Sequence, residues 1–334
     1  MKPDLSTRFT LGDILGVGTV GTIYSALDSD TRQQVAVKKL NPRVSHDPLI
    51  RARFKREMAI LQRLQHPNIV AYVAGGTDDD SLYYAMERVR GGTIKSVLES
   101  GGPLPWLVVV DLGIQICSAL QCAHNHGVIH RDLKPSNLFL TVEAQIKLGD
   151  FGIARDLNRA DLTEDGFTVG THAYMAPEQI RGEQSVSAKA DLYALGCCLY
   201  EMLTNRKPFT AENYTKLFDQ HLKAPPPLAR KLAPQTPEDL EQLITDLLEK
   251  DPDDRPFNAR YVQAELLKLR QQASDSATTT SEIAEPPSEI LRRRIRTRHQ
   301  SPVVAPIGTG KLLAIFALLI VTGALAYVFR QVIQ

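Results

Sequence analysis

His130-Arg131-Asp132-Leu133-Lys134-Pro135-Ser136-Asn137 is an eight-residue loop signature, and Asp150-Phe151-Gly152 follows it after two short strands. The two patterns do not fall together at this spacing by chance. On the N-terminal side the alternation of apolar residues predicts strands at Phe9–Leu15, Thr22–Leu27, Gln34–Leu40, Ile69–Ala74 and Ser81–Glu87. One helical segment, Pro48–Leu64, interrupts them. After Gly91-Gly92 the period changes, and apolar residues recur at three- and four-residue steps in 105–126, 189–204, 237–249 and 258–270. The predicted fold class is α+β, a small β-rich lobe ahead of a larger helical lobe, with a cleft between them.

Three further motifs flank the loop in order. Gly16-Val17-Gly18-Thr19-Val20-Gly21 is G-x-G-x-x-G, a weak signal alone. A dinucleotide-binding turn needs a helix at the third glycine, whereas Thr22-Ile23-Tyr24-Ser25-Ala26-Leu27 is β-branched and aromatic, so a second strand follows. The result is a glycine-rich hairpin whose backbone has no Cβ to hold it away from a phosphate. Val35-Ala36-Val37-Lys38 comes next on a strand, and Glu57 lies in the following helix beside the apolar stripe of Ile60, Leu61 and Leu64. Met175-Ala176-Pro177-Glu178 follows the Asp150 motif. With five motifs in the one required order, residues 9–271 resemble the eukaryotic-type protein kinase superfamily, and within it the bacterial membrane-anchored Ser/Thr kinases. The N-lobe would span about 9–87 and the C-lobe about 91–271.

The resemblance implies a role for each matching position. ATP would lie under Gly16, Val17, Gly18 and Gly21, with adenine between Ile23, Ala36 and Phe139. Met86 would be the gatekeeper, and the backbone of Glu87 and Val89 would meet the adenine edge. Lys38, paired with Glu57, would bind the α/β-phosphates, while Asn137 and Asp150 would hold Mg²⁺ (or Mn²⁺) on hard oxygen ligands. Asp132 would accept the substrate hydroxyl proton or orient that hydroxyl, and Lys134 would face the γ-phosphate, as in Ser/Thr kinases. His130 is implied to pack in an internal spine with Phe151, Leu61 and Tyr72. His124 and His126 read as surface or structural residues. Arg131 would pair with a phosphorylated activation loop, for which Thr163 and Thr168 are the acceptor candidates; Thr171 would bond Asp132 and Lys134. Glu178–Arg255 is expected as a buried ion pair and Asp191 as the anchor of the catalytic-loop backbone.

The rest of the chain sets the context. Among 334 residues, 43% are hydrophobic and 23% charged, a globular mix. The net charge of +1 shows no basic field, and no nucleic-acid partner is expected. From residue 290 onward seven basic residues occur and no acidic ones, so the body itself is mildly acidic. Cys117, Cys122, Cys197 and Cys198 lie in apolar helical stretches without C-x-x-C spacing and read as buried thiols. Met1–Thr10 lacks the apolar run of a signal peptide. Residues 272–310 are rich in Ser, Thr, Pro and charge and read as a disordered linker. Gly308-Thr309-Gly310-Lys311 imitates a P-loop, but Ala305 and Leu312 stand where Gly and Ser or Thr are needed. Leu312–Phe329 is uncharged between Lys311 and Arg330. At about 1.5 Å per residue it spans about 27 Å, the length of a transmembrane helix. The arginines before it keep the body cytoplasmic by the positive-inside rule. The expected protein is a membrane-tethered Ser/Thr kinase acting on protein substrates, switched by activation-loop autophosphorylation, with a homodimer as one route to trans-phosphorylation. The alternatives are a tethered kinase-fold scaffold without turnover and a small-molecule kinase. No substitution at Lys38, Asp132, Asn137 or Asp150 supports the first, and the Ala176-Pro177-Glu178 segment argues against the second.

Overall fold

Strand patterning in the first ninety residues produces one antiparallel sheet. The computed structural model describes residues 5–18, 21–46, 48–78, 81–151, 172–183, 185–280 and 286–300. A short helix, α1 (Leu5–Arg8), leads into β1 (Phe9–Val17), β2 (Gly21–Asp28) and β3 (Gln34–Leu40). Then come α2 (Pro42–Ser45), α3 (Pro48–Leu61), β4 (Tyr72–Asp78) and β5 (Ser81–Glu87). The strand order is β1-β2-β3-β5-β4. Because successive side chains point to opposite faces, β5 feeds two cores. Tyr83 and Ala85 join Val35, Val37 and Phe9 on one face, and Leu82 and Tyr84 join Leu40, Phe54 and Met58 of α3 on the other. A strand covered on both sides reads as a continuous apolar run, as Ser81–Glu87 does.

Helices build the second part: α4 (Ile94–Gly101), α5 (Trp106–Asn125), the small hairpin β6 (Leu138–Leu140) and β7 (Ile146–Leu148), then α6 (Pro177–Ile180), α7 (Lys189–Thr204), α8 (Tyr214–Lys223), α9 (Glu238–Leu247), α10 (Ala259–Thr280) and α11 (Pro287–Gln300). The central helices α5 and α7 are apolar almost all round and lie inside the core. Gly113 lets α5 approach its neighbours, since a Cβ there would stand 2.8 Å from Leu266 and 3.3 Å from Leu199. Among the described residues α5 is the one helix long and apolar enough to cross a bilayer, and most of it is buried in this core. Leu312–Phe329 lies outside the described residues. The four cysteines are free, and three of them are buried.

The elements depart from the sequence expectation in three places. The strand expected over Ile69–Ala74 begins at Tyr72. Ile69 instead bridges Leu148, and the Val70 amide donates to the Leu148 carbonyl at 2.9 Å, so this connector is spent on β7. The helices α4 and α8 were not anticipated, being short amphipathic segments in polar surroundings. The linker expectation fails over much of 272–310, for α10 continues to Thr280 and α11 occupies Pro287–Gln300. Composition hid the stripe formed by Leu291 and Ile295, four residues apart and each 2% exposed. Burying two such side chains stabilises docking by at most about 3–6 kcal/mol, enough to order a segment rich in arginine.

Candidate active site

The loop from His130 to Asn137 is shaped from beneath by one buried carboxylate. Asp191, in the first turn of α7, accepts from the His130 amide (Oδ2, 2.8 Å) and the Arg131 amide (Oδ1, 2.8 Å). His124 Nε2 also meets Asp191 Oδ2 at 2.8 Å, which makes His124 part of this anchor. These bonds hold Arg131 at φ 62°, a left-handed conformation that costs a non-glycine residue on the order of 1 kcal/mol. Asp150 is likewise left-handed, at φ 50°. Both unusual backbone positions flank the same site.

Above that anchor the polar side chains converge. Lys134 Nζ donates to Asp132 Oδ2 at 2.8 Å, and Asn137 Nδ2 reaches the Asp132 carbonyl at 2.8 Å and Oδ2 at 3.3 Å. The Gly149 amide donates to the Asn137 carbonyl at 3.0 Å, which places Asn137 beside the residue preceding Asp150. Lys38 Nζ, 112 residues away in sequence, donates to Asp150 Oδ1 at 3.0 Å. Burial works against the lysine charge, but the Tyr84 hydroxyl and the Asp150 carboxylate outweigh it and hold the Lys38 pKa above its ordinary value. Tyr84 is directly opposite Lys38 in the β3–β5 register, and its ring centroid lies 5.9 Å from Nζ. The oxygens of Asn137 and Asp150 are hard donors suited to a small divalent cation. Among the described residues no cluster of three His, Cys, Asp or Glu offers a competing metal site.

The remaining pocket residues line up along the sheet and the hairpin. Ala36 pairs with Met86 across β3 and β5, and Ile23 pairs with Lys38 across β2 and β3. Phe139 on β6 packs against Gly149, where a Cβ would stand 2.9 Å from its ring. Met86, Tyr84, Tyr72, Leu61, Asp150 and Phe151 share one narrow cavity behind this surface. His130 Nε2 meets the Gly149 carbonyl at 3.0 Å, and its ring lies 4.7 Å from that of Phe151. The Glu87 amide donates to the Ala71 carbonyl at 2.8 Å, while its carboxylate meets Lys147 Nζ at 2.9 Å. Nothing in the sequence singled out Lys147. Val89 follows in the connection to α4 and is half-buried.

In the glycine-rich hairpin the Gly18 amide donates to the Gly21 carbonyl at 2.9 Å. Gly21 is required by packing, because a Cβ there would run into the Lys39 carbonyl and lie 2.9 Å from Leu40 Cα. Gly16 has open space at the same position, and Val17 is 77% exposed. Below the site, Arg255 donates to both Glu178 oxygens at 2.8 Å, with both side chains buried. Thr163, Thr168, Thr171 and the side chain of Glu57 lie outside the described residues.

Residues 9–267 match the family model described as protein kinase domain. The serine/threonine-protein kinase PknB of Mycolicibacterium smegmatis is 36% identical over 321 residues, covering 92% of this chain and 51% of its own. PknB of Mycobacterium tuberculosis is 35% identical over 273 residues, covering 79% and 43%. The chain thus spans about half the length of these relatives or less. Among solved structures, Rad53 1–466 in complex with AMP-PNP superposes with a TM-score of 0.67 at 28% identity, covering 79% of this chain and 66% of that one. The PknI kinase domain of Mycobacterium tuberculosis gives 0.61 at 26% identity, covering 78% and 95%.

Proposed function

Because the chain belongs to the protein kinase family and has its two-lobed fold, we propose that it is a protein serine/threonine kinase that transfers the γ-phosphoryl group of ATP to protein hydroxyls. The observation that carries this reading is the convergence of two hydrogen-bonded groups, Asp132 with Lys134 and Asn137, and Lys38 with Asp150, joined by the backbone bond from Gly149 to Asn137. Phosphoryl transfer asks chiefly for positioning and charge neutralisation, and this set supplies both. Lys134 and Asn137 fix Asp132 Oδ2, so the carboxylate is oriented before a substrate arrives. The Ser or Thr oxygen attacks phosphorus, the bond from the γ-phosphorus to the bridging oxygen breaks, and ADP leaves with that electron pair. The hydroxyl proton passes to Asp132. Lys134 faces the transferred group, and Lys38 binds the α/β-phosphates in exchange for part of its contact with Asp150. Asn137 and Asp150 would hold Mg²⁺ (or Mn²⁺), which when bound neutralises phosphate charge. Adenine would lie between Ile23, Ala36 and Phe139 with Met86, Glu87 and Val89 at its edge, and the ATP phosphates would lie under Gly16, Val17, Gly18 and Gly21.

Three finer parts complete the proposal. Leu312–Phe329 would tether the kinase to a membrane with the catalytic part on the cytoplasmic side, supported by its uncharged length and basic flanks. Thr163 or Thr168 would accept an activating phosphate that pairs with Arg131, and Thr171 would bond the catalytic loop. Tethering raises the effective concentration of neighbouring copies, which favours phosphorylation in trans within a homodimer. The test is ³²P transfer from ATP with Mg²⁺ by the full chain, beside Asp132→Asn. Label on Ser or Thr should fall at least about 100-fold in the variant while ATP binding persists. A folded, ATP-binding wild type that never becomes labelled, alone or with generic protein acceptors, refutes the reading in favour of a scaffold.

A further inference from the structure

The family match ends at residue 267, and α11 lies beyond it. Leu291 and Ile295, one helical turn apart, are part of the main hydrophobic core. Between them Arg294 donates from Nη1 to the Gly102 carbonyl at 2.9 Å and from Nη2 to the Pro103 carbonyl at 2.8 Å. Arg292 Nε donates to the Glu143 carbonyl at 3.3 Å, and its Nη1 to Glu289 Oε1 at 2.7 Å. Gly101 makes room for this contact, since a Cβ there would stand 3.3 Å from Arg294 Cδ and Nη1. The basic run is therefore divided: Arg292 and Arg294 turn to the body, while Arg296 on the same helix is exposed.

The attachment points are two arms that reach the nucleotide site at their other ends. Gly102 and Pro103 follow the last turn of α4; Glu143 lies in the turn between β6 and β7. The start of the α4 arm is joined to the hairpin by backbone bonds, from the Gly91 amide to the Leu140 carbonyl at 2.7 Å and from the Leu140 amide to the Gly92 carbonyl at 2.9 Å. Thr93, the N-cap of α4, bridges Phe139. The hairpin, from Leu138 to Leu148, is flanked by Asn137 of the metal set on one side and by Gly149, next to Asp150, on the other. Resting on the kinase reading above, we propose that α11 is a clasp that joins the far ends of α4 and the β6–β7 hairpin. Arg292 and Arg294 are then positioning residues, which keep Phe139 in place beneath the adenine without touching the nucleotide. A rigid floor is paid for once, on folding, and binding then loses less entropy.

The experiment compares the full chain with Arg292→Ala/Arg294→Ala, Arg294→Lys and Arg296→Ala. Readouts are the Kd of a fluorescent ATP analogue with Mg²⁺, the KM for ATP against kcat, the melting temperature, and amide exchange over 91–103 and 138–148. Losing the charge-assisted bonds to carbonyls should raise Kd and KM about 3- to 10-fold. Exchange in both arms should rise, with kcat within about twofold and little change in melting. Arg294→Lys, which still donates, should recover part of the affinity, and Arg296→Ala should match wild type. Unchanged Kd and KM in the double variant overturn the proposal, whether or not α11 stays docked. A fall in melting temperature and kcat without a shift in KM overturns it too, as the mark of a purely structural helix. A wild type that binds ATP yet transfers no phosphate refutes only the kinase reading, because Kd still reports on the clasp.

Discussion

Arg255→Ala should be among the most damaging single substitutions away from the cleft, and its cost follows from the bonds it removes. Arg255 donates to both Glu178 oxygens at 2.8 Å, and to the carbonyls of Glu249 at 2.8 Å, Lys189 at 2.9 Å and Lys250 at 3.2 Å. Its guanidinium also lies 5.0 Å from the Tyr193 ring centroid. Alanine leaves the Glu178 carboxylate, with its side chain 2% exposed, without its bidentate partner, and takes the donor from three carbonyl oxygens. Deleting one partner of a buried pair costs about 3–5 kcal/mol. The lost ring contact adds about 1 kcal/mol. At about 2–4 °C per kcal/mol for a domain of this size, melting should fall by at least about 8 °C. Thermal unfolding followed by far-UV circular dichroism reads this directly. Glu178→Leu/Arg255→Met, which removes both charges and keeps the volume, should regain a substantial part of the loss, since the pair stabilises less than its halves cost when exposed singly. An Arg255→Ala protein melting within about 3 °C of wild type, or a double variant no better than the single, would refute the reasoning.

Gly21→Ala should destabilise the N-terminal sheet by about 1–3 kcal/mol, because its Cβ meets the backbone of Lys39 and Leu40 and not a movable side chain. Gly16→Ala, with open space around it, should leave urea unfolding unchanged within about 1 kcal/mol. Acid should weaken the helical part through His221, whose pKa burial and the nearby Lys250 push down to about 3. The unfolded imidazole binds its proton near pH 6.5 and the folded one near 3, so the unfolded state holds more protons between those values. Stability therefore falls as pH drops through that window, by about 4 kcal/mol in all. A His221→Gln variant should show a shallower fall between pH 6.5 and 4 than wild type, and an identical slope in the two would exclude His221 as its source.

The chemistry of this protein was legible because it is written in short, local words. Asp132, Lys134 and Asn137 fall within six residues of one another, and the strand parity of Val35-Ala36-Val37-Lys38 commits the lysine to one face of β3. Gln34–Leu40, Ser81–Glu87 and 189–204 match their predicted bounds because each is long or apolar enough for its period to stand out. What the tertiary structure decided lies at long range. Only the fold brings Lys38 to Asp150 and seats three donors on Asp191, for no pattern within a window of twenty residues encodes a contact across sixty or a hundred. The same holds for α11. A composition rich in Ser, Thr and Arg cannot order itself, and 287–300 reads as a linker until the core supplies a place for Leu291 and Ile295, and the carbonyls of Gly102, Pro103 and Glu143 accept the arginines between them. Local sequence fixed which groups would do the chemistry. Burial and long-range hydrogen bonding decided how they are held.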